Sequence, residues 1–593
     1  VLQSRPVTTR PPASVAQTTA PIPPGDDAWD REGEQPARPY DLWTRTNFGE
    51  NLPYPVTPLT STGFPYVMGQ GGQNEQEEAQ VARRFYGRLY INEGAVMHDL
   101  SEKYGLPSSI VDSMWGSRRR GKHKTKGKFR PWRLIRSSPG LLRLLMRLSK
   151  KRGPRQTPEQ FFAQIDSWVS EFMRCDMTTL DDHALWAEFI PTWREHGAHV
   201  FRKNIAISAP AALNYGLLDR VVGKWMKRKD ITHDLVTVIA GIYSAEVGPL
   251  LWKMAQTLQE AGLADVVLDH PAPDALALLR QEPAAQAFLA QFAEFLHRHG
   301  HRCPNEIEFL HPRWKEAPEQ VVELLANYLR ASDSVDPIEA EKRQAWRREE
   351  AIATVEKRLG PVRRRIFHAL LSRAQKAVRI RDNSRYYVTK FFFPMRLLFA
   401  QLGQRWAERG WITTPEDVFF LTIAEVEKMA TGADPAAKGA NLPALIADRR
   451  LAYEYWFTVV PPEVIGSNGQ AVLDEEEQGT TLEGIAVSGG RASGIARIVL
   501  DPRDAARLRA GEILVTQATD PGWTPVFPLV SGLVLEIGGQ LSHGAIVARE
   551  YGIPAVVNVQ GAMRRIQDGQ LVTIDGTQGK VYLHEPSTVI SAA

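Results

Sequence analysis

The sequence predicts a multidomain chain in which a large, mostly α-helical body is followed by a small α/β domain. Three observations carry that expectation. From about residue 40 to 465, apolar residues return at three- and four-residue spacing, the period of helices with one buried face. From 482 to 593, short β-rich runs alternate with glycine turns and a short helix. Between the two, residues 466–481 are polar and acidic, and read as a hinge linker.

Taken in order, residues 9–39 are rich in Pro, Ala, Thr and Gln and read as an extended linker. Helical periodicity then runs over 78–98, 158–174, 233–263, 273–299 and 317–331, and long helices fit 336–379 and 387–409. No internal repeat is visible. A basic loop at 117–155 interrupts the pattern. Residues 118–155 hold 16 Lys/Arg and no Asp or Glu, whereas the rest of the chain holds 56 basic and 68 acidic residues. The net charge of +4 therefore hides an acidic body. The loop reads as a solvated docking surface or a nucleic-acid contact. With only Phe129 and Trp132 interleaved, docking is preferred and nucleic acid is not expected. The amphipathic stretch from Leu141 to Leu148 reads as packing on the helical core rather than resting on a membrane.

Composition excludes several classes. At 593 residues, 43% hydrophobic, the chain has material for about two to four domains. Its two cysteines, Cys175 and Cys303, make neither a disulfide framework nor a thiolate metal site, which fits a reducing cytoplasm. No apolar run is long enough to span a bilayer, and no secretory signal is visible. The first residue is Val1, as in a processed, truncated or excised product.

The α/β part holds the most informative stretch. Gly532 to Ile537 is a short β-rich run that ends at Gly538 and Gly539, where the backbone can turn sharply. Ser542 suits the cap of a helix whose apolar face is Ala545, Ile546 and Ala548. Gly552-Ile553-Pro554 stops that helix, and Ala555 to Val557 reads as the next strand. His543 thus falls in the first turn, where free N–H groups and the helix dipole favour an anion. A neutral imidazole there is a competent nucleophile for a phosphoryl group. On spacing alone, a capping or structural histidine is an equal reading.

Residues 482–585 resemble the phosphohistidine swivelling domain of the phosphoenolpyruvate-utilising enzymes. The resemblance runs from Leu482-Glu483-Gly484 through Thr516-Gln517-Ala518-Thr519-Asp520-Pro521-Gly522-Trp523 and the whole His543 stretch to Ile574-Asp575-Gly576-Thr577-Gln578-Gly579-Lys580-Val581. It implies that His543 carries a phosphoryl group, with Thr519, Gly538, Gly539, Ser542, Arg549 and Glu550 around it. For Arg549, a structural role and a phosphate contact stay equally open. The first eight residues resemble the closing strand of the family's ATP-grasp-type nucleotide domain, so 1–39 reads as the end of that domain plus the Pro-rich linker. The rest of that domain is expected as a fused neighbour or a separate subunit, holding ATP with Mg²⁺ or Mn²⁺. No metal site is expected in the chain itself.

Residues 40–465 resemble the acceptor-binding domain of the rifampin phosphotransferase and phenylphosphate synthase branch of the family. Trp43 to Asn51, Pro55 to Leu59, His299 to Glu308, Pro312-Arg313-Trp314, Arg379 to Tyr386 and Gly410 to Leu421 carry that likeness in order. Arg381 and Arg385 are four apart on one helix face. They read as a clamp on a phosphoryl group in transit or as surface cations beside Asp382. His301, Arg302 and Glu306 read as a buried network or as acceptor activators, with His301 the better base of the three. Asn47 and Glu50 are candidate cleft residues, and Phe391-Phe392-Phe393 with Met395 reads as core before acceptor wall. The order of segments, with no barrel after the carrier, points away from pyruvate chemistry. The implied reaction moves the β-phosphoryl of ATP through His543 to a hydroxyl of a small organic acceptor, an aromatic one such as a phenol or rifamycin being expected, and releases AMP and phosphate. The alternative is a phosphorylatable carrier or adaptor without acceptor turnover.

Overall fold

The computed structural model describes residues 42–45, 52–67, 82–94, 156–227, 231–330, 336–432, 441–459, 461–467, 479–500, 507–540 and 542–584. The linker at 9–39, the basic loop at 117–155, Asn47, Glu50 and most of the hinge at 466–481 lie outside the described residues.

Two long helices form the axis of the helical body. Asp182–Met226 has 45 residues and Pro361–Glu408 has 48, and they pack along one another. At 1.5 Å per residue each is about 70 Å long. The first starts where the Asp181 carboxylate accepts the Ala184 N–H at 2.7 Å. Its first residue, Asp182, accepts from Trp406 Nε1 at 2.8 Å and Arg405 Nη1 at 3.1 Å, which ties it to the far end of the second helix. Against this pair lies Pro158–Phe172, begun by a capping box between Thr157 and Gln160. Phe161, Ile165, Trp193, Phe391, Phe392 and Met395 fill the core between them, so the expected aromatic stripe is core. A second core lies among the helices Val247–Glu260, Gln286–His299 and Glu319–Arg330, around Trp314 and Leu325.

Three helical expectations need correction. Residues 78–98 include no helix of that length. Ala82–Phe85 and Arg88–Asn92 pair as an antiparallel hairpin, with the turn at Tyr86-Gly87. These strands are β2 and β3; with β1 (Leu42–Thr44) and β4 (Val464–Gly466) they make a sheet ordered β2-β3-β1-β4. The helices expected over 336–379 and 387–409 are instead divided at Leu359-Gly360, because Pro361 opens a helix that runs to Glu408. Polar residues of this helix are paired with a distant segment of the chain. Asn383 accepts from Tyr243 N–H at 3.1 Å and donates to Gly241 O at 2.8 Å. Residues 233–263 are also split: Ile231–Leu235 and Val247–Glu260 are separate helices.

The α/β part is an eight-stranded mixed sheet. Its strands are β5 (Thr481–Glu483), β6 (Ile485–Ser488), β7 (Arg491–Ile498), β8 (Ile513–Thr516), β9 (Gly532–Leu535), β10 (Ala555–Val557), β11 (Leu571–Asp575) and β12 (Lys580–Leu583), in the order β5-β12-β11-β7-β8-β9-β10-β6. The run β7-β8-β9-β10 is parallel and its flanks are antiparallel. All residues of β8, β9 and β10 are buried, as strands covered on both faces should be. The described chain is thus multidomain, mostly helical first and α/β second.

One buried carboxylate ties the N-terminal motif to the helical body. Glu308 Oε1 accepts from Thr57 Oγ1 at 2.7 Å, Thr60 Oγ1 at 2.6 Å and Leu310 N–H at 3.0 Å, and Oε2 from Thr57 N–H at 3.0 Å. Glu308→Ala removes the carboxylate that accepts from four donors, most of them buried. We expect it to cost about 2–4 kcal/mol of stability, measured by denaturant unfolding of the whole chain. A change under about 0.5 kcal/mol would show that the four donors find other partners.

Candidate active site

His543 sits where two structural parts meet. β9 leads into Gly538, with φ +152°, and Gly539. Ser542 Oγ then accepts the Ala545 N–H at 3.4 Å and starts the helix His543–Tyr551. His543 is only 2% exposed. Its Nε2 lies 3.2 Å from Thr524 Oγ1. Thr524 belongs to the tight helical segment Pro521–Leu529, whose cap is Asp520: its Oδ1 accepts the Gly522 N–H at 2.9 Å. Gly544 is needed beside the ring, because a Cβ there would fall on the Thr519 hydroxyl and 2.7 Å from Leu535 Cδ1. Arg549 lies deeper. Its Nη1 donates to Gln540 O at 2.9 Å and to Val487 O at 3.3 Å, so it braces the loop that precedes His543.

The facing wall comes from the helical body. The turn after Gln286–His299 is closed by Trp314 N–H on Arg302 O and Lys315 N–H on Gly300 O, both 2.8 Å. Within it, Arg302 Nε pairs with Glu306 Oε1 at 2.7 Å, and both side chains are buried. The Tyr386 ring fills the space behind. It meets the His301 ring edge-on at 4.6 Å between centroids, and the Arg302 guanidinium lies 5.4 Å from its centroid. Two contacts cross the seam beside this turn. Asn305 N–H donates to Asp520 Oδ2, and Gly522 packs so closely that a Cβ would lie 2.9 Å from Pro304 Cα.

The charges follow from this burial. His543 is held well below the usual imidazole range by burial, and then by the charges of Arg385 and Arg302. The charges of those two cations therefore reach it. The charge of Arg381 acts on Asp382 and Arg549, one turn along the helix. Asp382 accepts from Ser244 Oγ at 2.6 Å, and burial pushes its carboxyl up. Burial, with Glu306 nearby, pushes Asp520 up to about 7. Burial beside Asp382 and Glu341 pushes Glu550 up to about 8. His301 is held well below its usual range by burial and then by Arg302. It is thus a weaker base than the ordinary imidazole expected from sequence.

The structure brings together His543, Ser542, Thr519, Arg385, Arg302, Glu306 and, through Tyr386, His301. Asn47 and Glu50 cannot be located, since they lie outside the described residues. Sequence reading passed over Asp520, Thr524 and Asn305. An aspartate before Pro-Gly is a recognisable helix cap, but its second bond, to a residue 215 positions away, has no local signal. Among the described residues, no group of three or more His, Cys, Asp or Glu is arranged to hold a metal, and no helix is long and apolar enough to cross a membrane.

Comparison with known proteins bears on both walls of this seam. Residues 203–382 match the family model of the rifampicin phosphotransferase fourth domain, and residues 508–579 match that of the PEP-utilising enzyme mobile domain. A rifampicin phosphotransferase of Streptomyces sviceus is 30% identical over 435 residues, 69% of this chain and 48% of that protein. Those of Bacillus cereus and Bacillus subtilis are each 27% identical, over 368 and 396 residues, covering 60% and 64% of this chain and 42% and 45% of theirs. The chain spans about half the length of the curated relatives it matches. The resemblance to the phosphoenolpyruvate-utilising enzymes and to rifampin phosphotransferase stands on these matches.

The depressed pKa of His543 has a definite sign. The neutral ring fits the seam, so its contribution is present above the ordinary value of about 6.5 and is lost as pH falls below it. Asp520 and Glu550 act oppositely, and their contribution is lost as pH rises through about 7 and about 8. Nitrogen-15 spectra of labelled histidines should show His543 neutral at about pH 6. An imidazolium at that pH would mean the ring is solvated.

Proposed function

We propose that this chain, similar over two regions to rifampicin phosphotransferases, receives a phosphoryl group on His543 and passes it to a hydroxyl of an organic acceptor. One observation carries the reading. A buried imidazole, held toward its neutral form, lies within reach of the charges of Arg385 and Arg302 on the opposite wall. Neutrality keeps a nitrogen lone pair free to hold phosphorus. The two guanidinium groups supply the charge that a phosphoryl group in transit needs.

In the proposed transfer, an acceptor oxygen bonds to phosphorus while the P–N bond to His543 breaks. The nitrogen keeps the electron pair and the ring returns to its neutral form. The hydroxyl proton leaves to a nearby acceptor group. His301, neutral with no hydrogen-bond partner at Nε2 among the described residues, is the candidate; Asp520 at about 7 is the second. A weak base suffices, because phosphoryl transfer rests on alignment and charge more than on deprotonation. Thr519, Gly538, Gly539, Ser542 and Arg549 shape the loop on the carrier side. Arg381 and Glu306 hold the charge balance around the clamp.

The donor is ATP, whose β-phosphoryl reaches His543 while AMP and phosphate leave, one water being consumed. ATP and Mg²⁺ or Mn²⁺ would be held by an ATP-grasp domain or subunit. For the acceptor, the names of the relatives favour a rifamycin; a phenol is the second candidate. The polar segment 466–481 serves as the hinge between loading and delivery.

With an ATP-grasp partner and [β-³²P]ATP, the chain should take up acid-labile label and release it to a rifamycin. Arg385→Ala should leave loading intact and slow delivery about 100-fold, with Arg385→Lys much closer to wild type. Label that stays on the chain with every rifamycin and phenol tried would favour the adaptor reading. Equal loss of loading and delivery in Arg385→Ala would remove the clamp.

A further inference from the structure

One aromatic ring crosses the seam at the far end of the carrier helix. Tyr551 is the last residue of His543–Tyr551, eight positions after the histidine. Its ring packs on the α/β core. Its hydroxyl is buried against Gly248 and the Tyr328 hydroxyl, both of the helical body. Gly248 is the second residue of the helix Val247–Glu260, and its backbone is not left-handed. A glycine inside a helix costs about 1 kcal/mol relative to alanine, so the helix itself gives no reason for it. The ring gives the reason. A Cβ at 248 would fall on the Tyr551 hydroxyl, and would lie 3.4 Å from both Tyr551 Cζ and the Tyr328 hydroxyl.

The neighbours make the same seat. Ile546, one turn after His543, is buried in a core shared with Tyr215, Leu218 and Phe367 of the helical body. Gly552, with φ +70°, leaves room for the Gln344 side chain. The carrier helix therefore enters as a wedge with its tip at Tyr551. Over eight residues the tip stands about 12 Å from His543 along the axis, so its seating fixes where the imidazole stops.

We infer that Tyr551 is a positioning residue: its hydroxyl seats in a slot bounded by Gly248 and Tyr328, and this sets the docked stop of His543 against Arg302 and Arg385. The inference rests on the carrier reading proposed above and adds the pair that fixes its geometry.

The test uses the whole chain and needs no phosphoryl transfer. Diethyl pyrocarbonate modifies exposed neutral imidazole, and peptide mass spectrometry reads the rate at His543. At 2% exposure, wild-type His543 should react slowly. Gly248→Ala adds one methyl to a helix that favours it, so the fold should hold, which a melting curve checks. The methyl meets Tyr551 and should raise the His543 rate about tenfold by shifting the docked population. Tyr551→Phe placed in the Gly248→Ala background removes the oxygen that the methyl meets, and should restore slow modification. Unchanged protection in Gly248→Ala, or a double variant as reactive as the single one, would overturn the inference. The carrier reading fails separately, if wild-type His543 accepts no phosphoryl group.

Discussion

Taking an imidazole out of water while two guanidinium groups face it raises the free energy of its protonated form, and much of the seam is arranged around that neutral ring. His543 keeps a lone pair because Arg302, Arg385 and the dry surroundings oppose a proton. The same two cations are an attractive field for an anion. A phosphoryl group brings close to two negative charges at neutral pH. The carboxyls nearby are tuned to tolerate it: Asp520 and Glu550 stand at about 7 and about 8, so added negative charge tips them toward their neutral forms. In the proposed cycle, one environment thus serves both the empty and the loaded carrier.

Close approach at the seam depends on missing side chains. Gly544 admits Thr519 beside the histidine, Gly522 lets the α/β part touch Pro304, and Gly248 admits Tyr551. Behind the seam the supports are rigid. Glu308 binds the Thr57–Thr60 turn to the loop that carries Arg302 and Glu306. Arg313 Nη1 donates to His311 O and Glu308 O and lies 3.0 Å from Cys303 Sγ, so it binds this turn together. Arg385 rides on a 48-residue helix whose Asn383 and Ser384 are hydrogen-bonded to the neighbouring chain segments.

The α/β part was legible because its signals are local. Glycines, a serine cap and a β-rich run specify the turn into His543 within about twenty residues, and strand, helix and stop fall where those residues put them. The helical body was legible in kind but less so in its joints. Proline after glycine at 360–361 divides the helix expected over 336–379, and the polar residues after 379 stay helical because a distant segment pairs with Asn383. The hairpin at 82–92 was missed because its second strand, 88–92, pairs with residues 42–44, which in turn pair with 464–466, and periodicity cannot see such partners. Of the candidate site, spacing alone indicated Arg381 with Arg385 and Arg302 with Glu306. It gave no hint that Asp520 reaches Asn305, because that bond exists only when the two parts meet.

The most direct measurement is to phosphorylate the chain with phosphoramidate, a small donor that needs no nucleotide domain, and map the product by mass spectrometry under alkaline conditions. A single acid-labile phosphoryl group on His543, lost in His543→Asn, is the result expected of a carrier. No phosphoryl group at His543, with others of the 14 histidines modified instead, would contradict it.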